Sequence, residues 1–294
     1  MFIFILPLAL SRQTNELYEF PKTVFFYIFS IFLLAIFLSV RIFKPFKLKP
    51  IPVAFWLFPV MAFISSLMSS HPHTSFFGYY TRFADSLLFY AALLVFYYVA
   101  STTLKREDLR TVFNVAQAGS IVLFIYALGQ YSGAFSFLWK GQLQDRVFST
   151  LGQPNWFAQY SLLLLGINFY GFLFKGRKSN LLFYIVQFFS LWLTFSMSGL
   201  AGFMVLVLVN IFILIREKEK KLLTSGYLKR LGVMFSISIF IAVLFPGIFS
   251  SKVRDIFIDA QKMVHTVSVV QASEEESISA NLISDPAYIR SGIW

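Results

Sequence analysis

Nine hydrophobic runs divide the 294-residue chain, and the polar segments between them alternate between rich and poor in Lys and Arg. Eight runs are long: about Thr23–Val40, Ile51–Met68, Ser86–Ala100, Thr111–Tyr131, Trp156–Phe174, Leu181–Phe195, Gly199–Ile215 and Leu231–Phe249. They approach the roughly 20 apolar residues that a helix needs to cross a hydrocarbon core. Their apolar residues come in blocks, without the strict alternation of a membrane β-barrel strand. Lipid offers no hydrogen-bond partner to an open strand edge, so the pattern predicts transmembrane helices. The first run, Phe2–Leu10, is short for a span and reads as a clipped first helix whose start lies upstream. No basic leader or small-residue cleavage site marks it as a signal peptide. The expected fold is an all-α polytopic membrane bundle of about nine helices over residues 1–249. Residues 250–294 would begin a large loop.

The basic residues orient this bundle. Segments 41–50, 101–110, 175–180 and 216–230 hold 16 of the 25 Lys and Arg residues. Segments 11–22, 69–85, 132–155, 196–198 and 250–294 share the rest over a greater length. Cytoplasmic loops carry the excess of Lys and Arg, which predicts that the first set is inside. The N-terminus is then cytoplasmic, and 250–294 lies outside.

Composition agrees with the membrane reading. Of all residues, 57% are hydrophobic and 13% charged, against about a quarter charged in a soluble domain. The net charge of +11 would suggest nucleic acid in a soluble protein. Here the basic residues sit in short loops between spans, where they set topology, and no nucleic-acid partner is expected. The chain has no Cys, which excludes disulfides and Cys-ligated metals.

The tail differs in character. Residues 252–270 place Val253, Ile256, Phe257, Ala260, Val264 and Val267 at helical spacing, which predicts an amphipathic helix on the membrane surface or against the bundle. Ser273 to Ser277, with three consecutive Glu, reads as a mobile link. Ser284-Asp285-Pro286 reads as a helix start that sets Arg290 and Trp294 one turn apart. The chain stops in the middle of that element, and a C-terminal truncation is expected.

Three places can carry chemistry. The first is Arg146-Val147-Phe148-Ser149-Thr150-Leu151-Gly152-Gln153-Pro154-Asn155-Trp156, on the outer side before a span. Gly152 and Pro154 mark a turn, and Asn155 is expected to cap the following helix. Its N-terminus and Arg146 would form a phosphate cradle. The same residues also make an ordinary turn and cap. The second is the loop Ser69–Asp85, with His71, His73, Arg82 and Asp85. The two His are a poor metal pair, because residues two apart do not share a helix face and no third ligand is evident. Arg82 either pairs with Asp85 or faces an anion. The third is Arg290, whose planar fork suits phosphate oxygens, with Trp294 positioned for cation–π contact or sugar stacking. An interfacial arginine is the simpler alternative.

Several chemistries lack their residues. No Asp-x-Asp pair, Walker-type glycine loop or Gly-x-Ser-x-Gly is present. The spans carry amides (among them Asn114, Gln117, Gln130, Asn168 and Gln187) but essentially no charge. Ion-coupled transporters usually place ionisable residues there. Amides alone serve helix–helix contacts as readily as a site.

At these loops the chain resembles the O-antigen ligase and O-antigen polymerase superfamily of bacterial inner-membrane glycosyltransferases, over most of its length. The resemblance rests on Arg146…Gly152-Gln153-Pro154-Asn155-Trp156-Phe157-Ala158, on the Leu193-Thr194-Phe195-Ser196 hairpin with small residues after it, and on Arg290…Trp294. Glu19-Phe20-Pro21-Lys22 and Gly78…Arg82 are similar to one branch. The resemblance implies a GT-C-like fold and a metal-independent transfer on the periplasmic face, with no cofactor. The donor would be a glycan on undecaprenyl pyrophosphate. The acceptor would be a hydroxyl of lipid A–core sugar, a glycan chain or a protein. Carried over, Arg290 matches the loop arginine that serves catalysis, with Arg146, Arg82 and Asn155 as donor-pyrophosphate contacts. Two departures stand out. Met197 occupies the position where the family hairpin commonly has Arg, so either another Arg substitutes or donor binding is altered. The family's activating His is not among the residues after Arg290, and the chain is expected to be inactive alone. O-antigen polymerase and protein O-oligosaccharyltransferase share the donor chemistry and stay open. A lipid-linked-oligosaccharide flippase is the alternative of another class.

Overall fold

The computed structural model describes residues 1–245, apart from 12, 15, 16, 44–52, 80–82, 135–145 and 217–224. Residues 1–245 form one compact unit. The predicted tail elements, with Arg290 and Trp294, lie outside the described residues, as does Arg82. Among the described residues every regular element is helical: α1 (Phe2–Leu8), α2 (Glu19–Phe43), α3 (Val53–Leu67), α4 (Pro72–Phe77), α5 (Leu87–Thr103), α6 (Asp108–Tyr131), α7 (Pro154–Lys175), α8 (Lys178–Leu193), α9 (Met197–Arg216) and α10 (Ser225–Leu244). Short 3-10 turns cover Phe83–Asp85 and Ser149–Leu151.

Four of these helices, α2, α6, α7 and α10, are long and apolar enough to cross a membrane. Apolar helices of 10–17 residues accompany them within α3, α5 and α9. The expected count of nine spans is therefore only partly met by length. At 1.5 Å per residue the 15 residues of α3 rise about 22 Å, short of the roughly 30 Å hydrocarbon core. The first run is a seven-residue helix, about 10 Å long, and does not span anything as it stands. It is instead a packing element. Phe2 stacks on Phe29 with ring centroids 3.8 Å apart and also meets Phe25, Phe26 and Phe96, which ties α1 to α2 and α5.

The core lies among α7, α8, α9 and α10, where Leu165, Phe169, Tyr184, Phe188, Phe203 and Met234 interlock. A smaller cluster of Leu123, Ala127, Val147, Phe157 and Leu193 joins α6, α7 and α8 near the loop that precedes α7. Outside these clusters the surface is apolar. Ile31 and Phe32 of α2, Leu57 of α3, Phe212 of α9 and Phe240 of α10 are all more than half exposed. Such a surface is tolerable in lipid and a liability in water.

Several amides inside the bundle bond to one another and to neighbouring helices. The Nδ2 of Asn180 and the Nε2 of Gln117 both donate to Oδ1 of Asn168, at 3.1 and 2.9 Å, and Nδ2 of Asn168 donates to the Leu164 carbonyl. Gln187 donates to Ser120, whose hydroxyl donates to the Gln117 carbonyl. These bonds clamp α6, α7 and α8 together, the helix–helix use of intramembrane amides.

Candidate functional site

Where α7 begins, four sequence-distant segments meet. The chain arrives from the loop at Arg146 and passes through a 3-10 turn, in which Ser149 adopts φ 53°. A left-handed backbone is unfavourable for a residue with a Cβ, so something must hold it. Its N–H and that of Phe148 donate to Oε1 of Gln130, at 2.9 and 3.2 Å, while its hydroxyl donates to the Leu123 carbonyl at 2.8 Å. The C-terminal end of α6 thus fixes this turn. Thr150 is tied to α1 through a 2.7 Å bond from its hydroxyl to the Pro7 carbonyl. Lys22 reaches across from α2 to donate to the Thr150 carbonyl at 2.6 Å and to the Tyr18 carbonyl at 3.1 Å.

Gly152 follows at φ 84°, and a Cβ there would stand 2.5 Å from Cβ of Tyr18. Only glycine allows this approach. Tyr18 in turn meets Phe148 edge-on, at 5.7 Å between centroids. The turn expected from Gly152 and Pro154 is present, with Pro154 at the first helical position.

One expected role is corrected. Asn155 does not cap α7; Gln153 occupies the N-cap position, and its side chain makes no capping bond. Asn155 lies within the first turn, where its Oδ1 accepts from Nη2 of Arg146 at 3.0 Å and from the Ser196 hydroxyl at 2.8 Å. Its side chain is drawn sideways to those donors instead of back over the helix end.

The fourth segment is the α8–α9 hairpin. Nε of Arg146 donates to the Thr194 carbonyl at 3.0 Å, and the N–H of Val147 donates to the Leu193 carbonyl at 3.3 Å. The buried Thr194 closes the end of α8, with its hydroxyl on the Leu191 carbonyl at 2.7 Å. Phe195 is 2% exposed and sits at φ 46°, the second non-glycine in the left-handed region at this end. Ser196 then caps α9, accepting from the Gly199 N–H at 3.2 Å, and its hydroxyl lies 3.0 Å from that of Ser198. Gly199 lets α9 close on α7: a Cβ there would stand 2.8 Å from Cβ of Ala158.

Arg146 is thus the charge at the centre of this arrangement. It is half-buried, and among the described residues no carboxylate pairs with it. Burial lowers its pKa below the ordinary arginine value, a direction that reflects the loss of water around the guanidinium. Arginine stays protonated regardless. Two of its five N–H groups are occupied by Thr194 and Asn155, and both are neutral acceptors. The result is an oriented cation whose bonded acceptors, among the described residues, are neutral.

Of the sequence-derived candidates, then, Arg146 and Asn155 are brought into direct contact, while Arg82 and Arg290 lie outside the described residues. Oε1 of Glu19 accepts from the Ala84 N–H at 3.3 Å, which brings the start of α2 to the turn before α5. His71 stands at the N-cap of α4 and His73 packs its ring against Phe77 at 4.9 Å. Among the described residues no group of three metal-binding side chains forms. Ser196 and Lys22 were not expected as site residues. The signal for Ser196 was its place in the hairpin, two residues after Thr194; for Lys22 it was a cation at the head of an apolar run.

No family model matches the chain, and no curated protein or solved structure is similar to it.

Proposed function

We propose that this chain is a polytopic bacterial inner-membrane glycosyltransferase of the O-antigen ligase type. In this reading about nine helices cross the membrane, the shorter ones included, and the α7 N-terminal end faces the periplasm. The single observation that carries the proposal is the bonding of Arg146 to both Asn155 and the Thr194–Ser196 hairpin. These are the segments on which the family resemblance rests, and they are up to 48 residues apart in sequence.

The chemistry follows from the charge. The acceptor hydroxyl oxygen forms a bond to the anomeric carbon of the donor glycan while the bond from that carbon to undecaprenyl pyrophosphate breaks. The leaving pyrophosphate keeps the electron pair and gains negative charge. An oriented guanidinium lowers that barrier because its N–H donors meet charge where it develops. The hydroxyl proton passes to a general base, a role that the resemblance assigns to a histidine. Met197, at the position commonly held by Arg, is 45% exposed at the start of α9. Arg146 bonds to the same turn from the preceding loop, and in this proposal it supplies the guanidinium that Met197 cannot.

A lipid-linked-oligosaccharide flippase needs a polar path through the bundle. The amides Gln117, Asn168 and Gln187 are bonded to one another's helices. That arrangement favours the transferase.

The test is binding of undecaprenyl pyrophosphate to the protein in phosphatidylcholine nanodiscs, together with glycan transfer by the full-length protein in cells. Wild type should bind, Arg146→Ala should not, and Arg146→Lys should retain part of the affinity. Asn155→Asp should fold normally yet bind poorly, because it neutralises the guanidinium that the donor needs. Equal binding and equal transfer by wild type and Arg146→Ala, at equal protein level, would overturn the proposal.

A further inference from the structure

At the opposite end of α7 lies a cleft of about 520 Å³ between α6, α7 and α8. Three cations line it: Arg110 from the first turn of α6, Lys175 from the last turn of α7, and Arg177 from the turn that follows. Among the described residues no Asp or Glu lines it. Oδ2 of Asp108, two residues before Arg110, accepts from the Lys105 N–H at 2.8 Å. Asn114, Gln117, Ser179 and Asn180 add polar groups, and Phe113, Ile167 and Phe183 form apolar wall.

The cleft is built, and more than a scatter of topology-setting charges. Its floor is the bonded set Gln117–Asn168–Asn180, which fixes the spacing of the three helices. Gly171 makes that floor possible, because a Cβ there would collide with the Asn180 side chain. Lys175 is held over the Tyr170 ring, with its ammonium 5.7 Å from the centroid. Lys178, next in sequence to this cluster, is not part of the lining.

We infer that this cleft binds a phosphate-bearing anion, and that the anion is the headgroup of an acidic phospholipid. Convergent cations without a carboxylate select an anion, and arginine donors match phosphate oxygens. Basic pockets between transmembrane helices on the cytoplasmic side suit lipid headgroups, and the apolar wall continues the site toward acyl chains. The charge rule assigns this end to the cytoplasm. The inference is independent of glycosyl transfer and does not involve Arg146.

The experiment measures the melting temperature of the purified chain in detergent, with added phosphatidylglycerol, phosphatidylcholine or inorganic phosphate. Phosphatidylglycerol should raise the Tm of wild type and phosphatidylcholine should not. The rise should vanish in the triple variant Arg110→Gln, Lys175→Gln, Arg177→Gln, and persist in Lys178→Gln. Asn114→Trp fills the cleft without removing a charge, and it should also lose the rise, so the outcome does not depend on the triple variant folding. A rise of the same size in Asn114→Trp, or none in wild type, overturns the inference. If inorganic phosphate alone gives the full rise and the cleft variants lose it, the anion site stands and the lipid source is wrong.

Discussion

The two ends of α7 use positive charge in opposite ways. At the N-terminal end one guanidinium is bonded to a backbone carbonyl and a side-chain amide, within loops that are themselves pinned by Gln130, Pro7 and Lys22. At the C-terminal end three exposed cations surround an open cleft, and Arg230 from α10 donates to the Leu173 carbonyl at 3.1 Å, where it meets the negative end of the helix dipole. The ends are about 33 Å apart by the rise of a 22-residue helix, roughly the thickness of a hydrocarbon core. Immobilised charge suits stabilisation of a transition state, because it needs no reorganisation as the reaction proceeds. Exposed charge suits attraction, and it is screened by salt. The contrast teaches that counting cations per loop does not show how each cation is used. What separates the two ends is that one cation is bonded into loops while the other three line an open cleft.

Substitutions at each end can break this contrast. The largest effect is expected from Arg146→Ala, which should lower transfer by about 10²–10³-fold, the usual consequence of removing one oriented donor at a developing anion. The rate of glycan transfer by the full-length protein checks it. Next is Gly152→Ala. The methyl meets Tyr18 and the backbone must keep a positive φ, so a loss of about 2–3 kcal/mol is expected, read as a lower melting temperature. Asn155→Leu strands the Arg146 and Ser196 donors and should destabilise the protein by about 1–3 kcal/mol. If its stability is unchanged, the grip on Arg146 is weaker than the geometry indicates.

The mildest perturbation tests which end faces which compartment. Ser132→Cys and Ser179→Cys replace exposed residues near opposite ends of the bundle and should each alter stability by no more than about 0.5 kcal/mol. The chain has no native Cys, so labelling is unambiguous. An impermeant thiol reagent added to intact cells should modify the first and not the second. The reverse pattern would place the Arg146 end in the cytoplasm and remove the basis for a periplasmic transferase.

The helical bundle was legible because runs of apolar residues are local, and a helix needs nothing further from its neighbours to satisfy its backbone. The turn at Gly152-Gln153-Pro154 was legible for the same reason. Element lengths were less so: α8 begins at Lys178, three residues before its apolar run, because polar residues at helix ends do not interrupt the backbone bonds. The role of Asn155 was misread because a local rule, capping, competed with a contact to Arg146 nine residues away and another to Ser196 that is 41 residues away. No pattern in sequence encodes such a bond. The basic cleft was invisible for a related reason. Arg110 and Arg177 read as loop charges, and only the packing of α6 against α8 makes them neighbours.

The double claim on Asn155 carries one more consequence. A carboxamide is planar, so an oxygen engaged by Arg146 and Ser196 leaves the amide nitrogen turned to the other side. With its sole acceptor already consumed, that side chain can offer an incoming molecule nothing but hydrogens. Under the proposed function, those hydrogens and the Arg146 N–H groups that bond neither Thr194 nor Asn155 would suit an oxyanion and not a metal ion, a selectivity set by one amide's orientation.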